Sequence, residues 1–478
     1  MRRQGEENSS GRTVKPLFLV GGALALCMAA IAAVSPLYYD GAPLTARNTF
    51  IFVGLLIAAG AAYLPLFHFL PRARPERRHL IIMLTVGLLC RLVFFGSTPI
   101  YEDDWRRYLW DGAVVNEGIS PYRYAPAEAI VRDSLGAPIE RSDDPALQRL
   151  QDLGEANGAW PEYVNYPYVT TIYPPVAQAA MAAANKLAPF SLDAWRLVLL
   201  LFDAAALAII IQLLRASGSS AAWALVYWWN PLIIYAGYNA AHMDLLIAPF
   251  LLGALYFVKG DRPFAAGALL VGAIGVKIWP ALLAPALFAR WSHTPLRFAA
   301  IALFITALSA LTLAPMLSLV SETRSGLSAY SGSWQTFSFL FSAIKGFFSL
   351  LNENADMAAR IVFGLSAVGA SLGAGVFVRN REQRLSSALL FVAGALFFLS
   401  PTGYPWYAIW LFVFLPFAPS IGVAALTASL PLYYGRYWLV QAGYENILVY
   451  AVTPLAFAAP LALIAWEQLR NRRAHTHD

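Results

Sequence analysis

The stretch HLIIMLTVGLLCRLVFFGSTPIYEDDWRRYLWDG, residues 79–112, decides the fold. Residues 79–96 are apolar over roughly a crossing length, because a bilayer core takes about 20 apolar residues in helical form. Within a few residues the chain presents Glu102, Asp103 and Asp104, followed by Arg106 and Arg107. These charges therefore lie near one membrane surface, among Tyr101, Trp105, Tyr108 and Trp110. Rings with an apolar body and a polar tip argue for a packed interfacial site over a solvated loop start. Adjacent carboxylates repel, and partial burial raises a carboxylate's pKa. Arg106 and Arg107 are placed to oppose both effects and keep one acid ionised. A carboxylate held this way serves as a general base for a hydroxyl.

The rest of the chain agrees with a bilayer as its solvent. Of 478 residues, 59% are hydrophobic and only 13% charged, whereas soluble domains carry about a quarter charged residues. Apolar runs fall near 16–34, 48–70, 79–96, 193–214, 220–237, 241–258, 263–276, 278–290, 298–318, 357–378, 385–401, 405–418, 420–434 and 447–467. The expected fold is all-α and polytopic, with about 12–14 transmembrane helices. Segments 172–189 and 337–351 are apolar too, and read as lying along the membrane face or re-entering it. Cys27 and Cys90 sit inside apolar runs, as small buried residues do. The run from Pro16 to Val34 reads as a retained span, since no small-residue cleavage site follows it.

Positive charge sets the orientation, because short cytoplasmic loops carry the excess of lysine and arginine. Candidates are Arg2, Arg3, Arg12 and Lys15, then PRARPERRH at 71–79, Lys259 with Arg262, Arg290 with Arg297, RNREQR at 379–384 and QLRNRR at 468–473. All fall on one side if 172–189 does not cross. Both termini are then cytoplasmic, and the 97–170 loop, with thirteen carboxylates against six arginines, is extracytoplasmic. A loop this long is often functional. Three parts are expected: 1–78, a tail and two additional helices; 79–420, a catalytic membrane module with outer loop 97–192; and 421–478, closing helices and a basic tail.

Other segments add chemistry. GVKIWP places Lys277 between two short apolar runs whose far ends, Arg262 and Arg290, look cytoplasmic. The runs form a hairpin with Lys277 near the outer surface, where a lysine needs an anion such as a lipid phosphate or snorkels to water. YNAAHMDLL opens a span with His242 and Asp244, two residues apart and so on different sectors of a helix. They suit interfacial hydrogen bonds, or contacts to a substrate hydroxyl or phosphate, better than a shared metal. The polar segment 321–339 carries Arg324, and SPTGYPWYAIW carries Tyr404 and Trp406. Interfacial aromatics often only anchor the bilayer; stacking on a sugar is the alternative. There is no Walker loop, dinucleotide fingerprint or zinc spacing, and no nucleic-acid surface.

The acidic pair on the first large outer loop, then GISPYRYAP, TIYPPVAQ, NAAHMDLLIAPFLL, GVKIWPALLAP and PTGYPWYAIWLFVFLP in that order, resembles the GT-C superfamily of glycosyltransferases. The likeness is nearest to bacterial polyprenyl-phosphate-mannose-dependent mannosyltransferases and GPI mannosyltransferase I, and covers roughly 79–420. It implies inverting transfer of one sugar, mannose favoured, from a polyprenyl-phosphate donor to a glycolipid or glycan acceptor. The reaction would run on the extracytoplasmic face of a bacterial inner membrane. No cofactor is required; the acidic pair could hold a divalent ion, but no full ligand set is visible in the sequence. Carried over by motif, the base is Asp103, with Asp104 second. Donor-phosphate contacts are Lys277, with Arg106, Arg107 or His242, and further substrate contacts are Asp244, Tyr173, Arg324, Tyr404 and Trp406. Juxtamembrane helices are implied near 103–116 and 172–187. A transporter or flippase of lipid-linked sugars, or a lipid-to-glycan ligase or polymerase, is the alternative. Transporters place charges near the midplane and show repeated halves, which this chain does not.

Overall fold

The computed structural model describes residues 2–475, except 40, 74, 133–136, 138, 140, 159, 318–325, 327–331, 333 and 352. It is 76% helical, and no strand occurs among the described residues. Among the described residues seven helical segments are long and apolar enough to cross a membrane: Val14–Tyr38, Ala46–Arg72, Leu192–Ala216, Pro295–Leu317, Ala355–Val378, Glu382–Leu399 and Glu445–Arg472. An eighth arises if Pro231–Asn239 and Met243–Lys259, bent by 113° at their junction, count as one broken span. The outer faces of these helices carry bare aliphatics; Leu303 is 70% and Leu311 74% exposed. In water such faces would aggregate, and in lipid they are at home. The protein is an all-α, multi-pass membrane protein.

In chain order the principal helices are α1 (Arg2–Val34), α2 (Ala46–Tyr63), α3 (Arg77–Leu92), α4 (Asp104–Asn116), α5 (Pro145–Ala156), α6 (Pro175–Leu187), α7 (Leu192–Ala216) and α8 (Ile247–Lys259). They continue with α9 (Pro263–Ile274), α10 (Pro295–Leu317), α11 (Leu340–Ser349), α12 (Ala355–Val378), α13 (Leu385–Leu399), α14 (Ile421–Ser429) and α15 (Thr453–His475). Side-chain oxygens of Thr45, Ser191 and Ser420 accept from the first free backbone N–H groups of α2, α7 and α14. Such caps satisfy donors that the helix itself leaves open. α1 packs on α2 and α3, α7 on α8, α8 on α9, α12 on α13, and α14 on α15.

Several predicted apolar runs are not long helices. Residues 220–237, 278–290, 405–418 and 420–434 contain short α, 3-10 and π segments broken at prolines 231, 280, 405 and 431. Irregular backbone at membrane depth survives only where protein covers it. Here it does: every residue from Ala224 to Ala248 is buried. This core is tied by a fully buried ion pair, Arg91 Nε to Asp203 Oδ2 at 2.7 Å. Tyr227 and Tyr238 each donate a hydroxyl to Asp203 at 2.7 Å, and Arg91 lies 3.5 Å over the Trp228 ring.

Helices form at both places expected in the outer loop, as α4 and α6. The loop also has its own small core of Trp110, Val114, Ile119, Ala129, Leu150 and Val164. Gly112 allows α4 to lie against α6, since a Cβ there would stand 2.4 Å from the Met181 carbonyl oxygen.

Candidate active site

The acidic triplet is held to the bend in the broken span. Asn239 accepts from the Ile100 N–H at 2.9 Å and donates to the Thr98 carbonyl at 2.9 Å. Arg196 donates to the carbonyls of Ser97 at 2.8 Å and Tyr238 at 2.6 Å. The turn at Ala241 is left-handed, with φ 57°, and Trp195 donates to its carbonyl at 2.8 Å. Tyr101 also has a left-handed φ, 64°, which bulky residues avoid. Its ring is stacked on Tyr437 at 4.5 Å, and its hydroxyl pairs with Thr49 at 2.5 Å. These contacts give the triplet and the His242–Asp244 turn one rigid frame. On the opposite side, the Val176 N–H donates to the Gly275 carbonyl at 2.8 Å and fixes the Lys277 turn to α6.

A cavity of about 470 Å³ lies within this frame, lined by Glu102, Asp103, Asp104, Asp244, Lys277 and Arg436 together with Tyr173, Tyr404, Trp406 and Tyr407. That size suits a small ligand. Asn165 donates its amide to Asp103 Oδ1 at 3.2 Å and to Asp104 Oδ1 at 2.5 Å, so one side chain bridges both acids. Burial and the neighbouring Asp103 push the Asp104 carboxyl up to about 6. Glu102 is pushed well above the usual carboxylate range by burial, then by Asp104 and Asp103. Its Oε1 has no hydrogen-bond partner.

The structure brings most of the predicted residues together. Asp103 and Lys277, far apart in sequence, line the same cavity, as do Asp104, Asp244, Tyr173, Tyr404 and Trp406. Lys277 already has an anion in the protein: its Nζ donates to Asp244 Oδ1 at 2.7 Å and lies 4.1 Å over the Tyr407 ring. Trp410 donates to the same oxygen at 2.8 Å. Arg107 touches the cavity, but its guanidinium binds Asp111 at 3.1 Å and the Val169 carbonyl at 3.0 Å. It braces α4 instead of holding the acidic pair, because α4 turns it that way. Arg106 lies over Trp105 and Tyr163, outside this cavity. His242 is fully buried, stacked 3.8 Å on Trp406. Its nitrogens face Glu102 at 3.5 Å and Asp104 at 3.6 Å, beyond good hydrogen-bond length, so it backs the carboxylates from behind the wall. Arg324 lies outside the described residues.

Among the cavity residues not singled out from sequence, Asn165, Arg436 and Tyr437 bear most on the chemistry. Arg436 donates to the hydroxyls of Tyr433 at 2.8 Å and Thr336 at 3.2 Å. Among the described residues no carboxylate pairs with it. A lone arginine among aromatics, in YYGRYW at 433–438 and away from every basic cluster, is the signal that would have found it. No group of three or more His, Cys, Asp or Glu among the described residues is placed to hold a metal ion.

Fold and site together describe an integral-membrane protein with an acidic, cation-bearing cavity roofed by aromatic rings, the plan of a membrane-embedded glycosyltransferase. Residues 17–293 match the MptA_B family, described as alpha-(1->6)-mannopyranosyltransferase, N-terminal domain. The match spans more than half of the chain, and the chain belongs to this family of mannosyltransferases. It takes in α2, the acidic triplet and Lys277, and stops short of Arg436. No curated protein and no solved structure matches the chain.

Proposed function

We propose that the protein transfers one mannose, with inversion, from a polyprenyl-phosphate donor to a hydroxyl of a glycan or glycolipid acceptor. The α-(1→6) linkage in the family's description is the favoured product. One observation carries this reading: a single cavity is lined by the acidic pair together with Lys277 and Arg436. An acceptor hydroxyl is a weak nucleophile and needs a base within hydrogen-bond reach as it attacks. Asp103, the more exposed of the pair, takes that proton. The oxygen forms its bond to the anomeric carbon while the bond from that carbon to the phosphate oxygen breaks. The phosphate leaves with the electron pair, and Lys277 and Arg436 face its growing charge. Fixed cations stabilise such charge best where water is scarce. Phosphate leaves without a general acid, so one ionised carboxylate suffices. Asp104, bridged to Asp103 by Asn165, positions it.

The site is extracytoplasmic in this proposal, with both termini cytoplasmic and the protein in a bacterial inner membrane. The basic clusters support that sidedness. Arg290 reaches the Val258 carbonyl and Glu382, Arg297 lies near Asp261, and Arg379 near His293. These groups gather at the ends of α8 and α9 distant from Asp244 and Lys277, about 20 Å away at 1.5 Å per residue.

The test is transfer by the purified protein from polyprenyl-phosphate mannose against a nucleotide-linked mannose, with products identified by mass spectrometry. Transfer from the lipid phosphate alone, abolished in Asp103→Asn, is expected. Use of the nucleotide sugar, or full activity in both Asp103→Asn and Asp104→Asn, overturns the proposal.

A further inference from the structure

A second cavity, of about 500 Å³, lies on the other side of the acidic triplet. Glu102 and Asp103 line both cavities, whereas Lys277, Asp244 and Arg436 line only the first. The stacked pair of tyrosines marks where the two cavities meet beside Asp103: Tyr437 lines the first and Tyr101 the second. The second cavity is built by the connection from α1 to α2, through Tyr38, Tyr39 and Asn48, and by Trp105 and Arg106 at the start of α4.

We infer that this second cavity is the acceptor subsite, and that it receives the non-reducing end of a neutral glycan. The inference rests on the transferase reading above and adds where the second substrate sits. Inversion requires the hydroxyl to approach the anomeric carbon from the side opposite the departing phosphate. The cations mark the phosphate side. The base must reach the acceptor, and Asp103 is the acid shared by both spaces. The lining suits a sugar: ring faces carry the negative part of the aromatic quadrupole and attract the polarised C–H groups of a pyranose. Asn48 and Arg106 supply donors for its hydroxyls. One cation beside two carboxylates favours no anionic ligand. At the mouth, Leu37 and Tyr39 are 50% and 60% exposed at the end of the first span, so a glycan carried on a lipid can enter with its tail in the bilayer.

The test separates the two substrates. Tyr39→Ala and Asn48→Ala change rim residues, and Trp105→Ala changes the interior; thermal melts report folding, and the rim variants decide if Trp105→Ala does not fold. Each variant is expected to raise the acceptor KM about tenfold while the donor KM stays within about twofold. A rise in donor KM, or an unchanged acceptor KM in all three, overturns the inference. Equilibrium binding of two probes to donor-free protein, octyl α-mannoside and α-1,6-mannobiose, gives a readout independent of turnover. Tight binding of the octyl glycoside alone assigns a lipid-borne glycan, and equal binding a free glycan end. Binding lost in Tyr39→Ala without any transfer from the lipid donor sinks the transferase reading and leaves the subsite standing. Transfer with a donor-only effect does the reverse.

Discussion

Among the groups of buried charge in this bundle, the Arg91–Asp203 cluster and the acidic triplet are made differently. At Asp203 both oxygens are taken, by Arg91, Tyr227 and Tyr238. Arg91 also donates to the carbonyls of Gly87 at 2.9 Å and Trp228 at 2.8 Å, leaving only Nη2 without a partner. At the triplet three carboxylates crowd together, Glu102 keeps an oxygen unpaired, and both nitrogens of His242 stand just beyond bonding length. The first cluster is closed, with both charged side chains fully buried, whereas the second is left unfinished and lines two cavities. A group that the fold has fully satisfied holds structure. Groups that the fold leaves strained wait for a ligand to complete them.

The same change at the two places should therefore do opposite things. Asp203→Asn strands a buried guanidinium, and breaking a buried pair costs about 3–5 kcal/mol. It should lower the melting temperature sharply and reduce the yield of folded protein. Asp103→Asn should leave the melt unchanged and lower transfer by about 10²–10⁴-fold, the usual contribution of a general base. Paired melts and rate assays check both. Equal loss of stability in the two variants would erase the distinction between the clusters.

The distinction sharpens with pH. The Asp104 carboxyl is raised from an ordinary 3.8 to about 6. Between those values the folded protein holds more protons than the unfolded chain, so stability falls as pH rises. The penalty is absent below about 3.8 and fully present above about 6. Asp104→Asn removes it and should stabilise the protein by about 1–3 kcal/mol above pH 7, at 1.36 kcal/mol per pKa unit before solvent screening. The gain should vanish near pH 4, while transfer declines at every pH. Melts across pH 4–8 measure this; an Asp104→Asn protein less stable at pH 8 than the wild type would contradict it.

Much of this could be read from the chain because it depends on short-range pattern. Apolar runs announce membrane helices, and the triplet follows soon after one apolar helix, α3. Lys277 was legible for the same reason, standing alone between two apolar runs. Partner choice was not. Arg91 and Asp203 are 112 residues apart, and nothing local links them. Asn165 looks like any loop amide until the fold carries it 62 residues back to Asp103. Arg107 looked like a partner for the acids beside it, but a helix turns residue i toward i+4, and Asp111 is there. The broken interior segments read as full spans because burial by protein and burial by lipid select the same apolar residues.

Between the cations the effect should be smaller and unequal. Lys277→Ala and Arg436→Ala each remove a charge facing the departing phosphate, about 10–10²-fold in kcat/KM for the donor. Lys277→Ala costs more, because it also leaves Asp244 as an unpaired buried carboxylate beside the incoming anion. Lys277→Ala with Asp244→Asn should recover part of that loss. No recovery in the double variant would mean that Lys277 contributes its own charge alone.

The smallest effect belongs to Asn165, and it tests how the unfinished cluster is tuned. Its amide donates to both acids and lowers the Asp104 carboxyl, opposing burial and Asp103. Removing a donor from an ionised carboxylate favours the protonated form. In Asn165→Leu the Asp104 carboxyl, raised to about 6 in the wild type, should therefore titrate at higher pH, and the pH–rate profile should shift the same way. At pH 8 and above the rate should return to within about tenfold of wild type, the residue supplying position and no proton transfer of its own. A merely structural role for Asn165 would lower the whole profile without moving its limb, and that result would detach the amide from the chemistry of the acids it bridges.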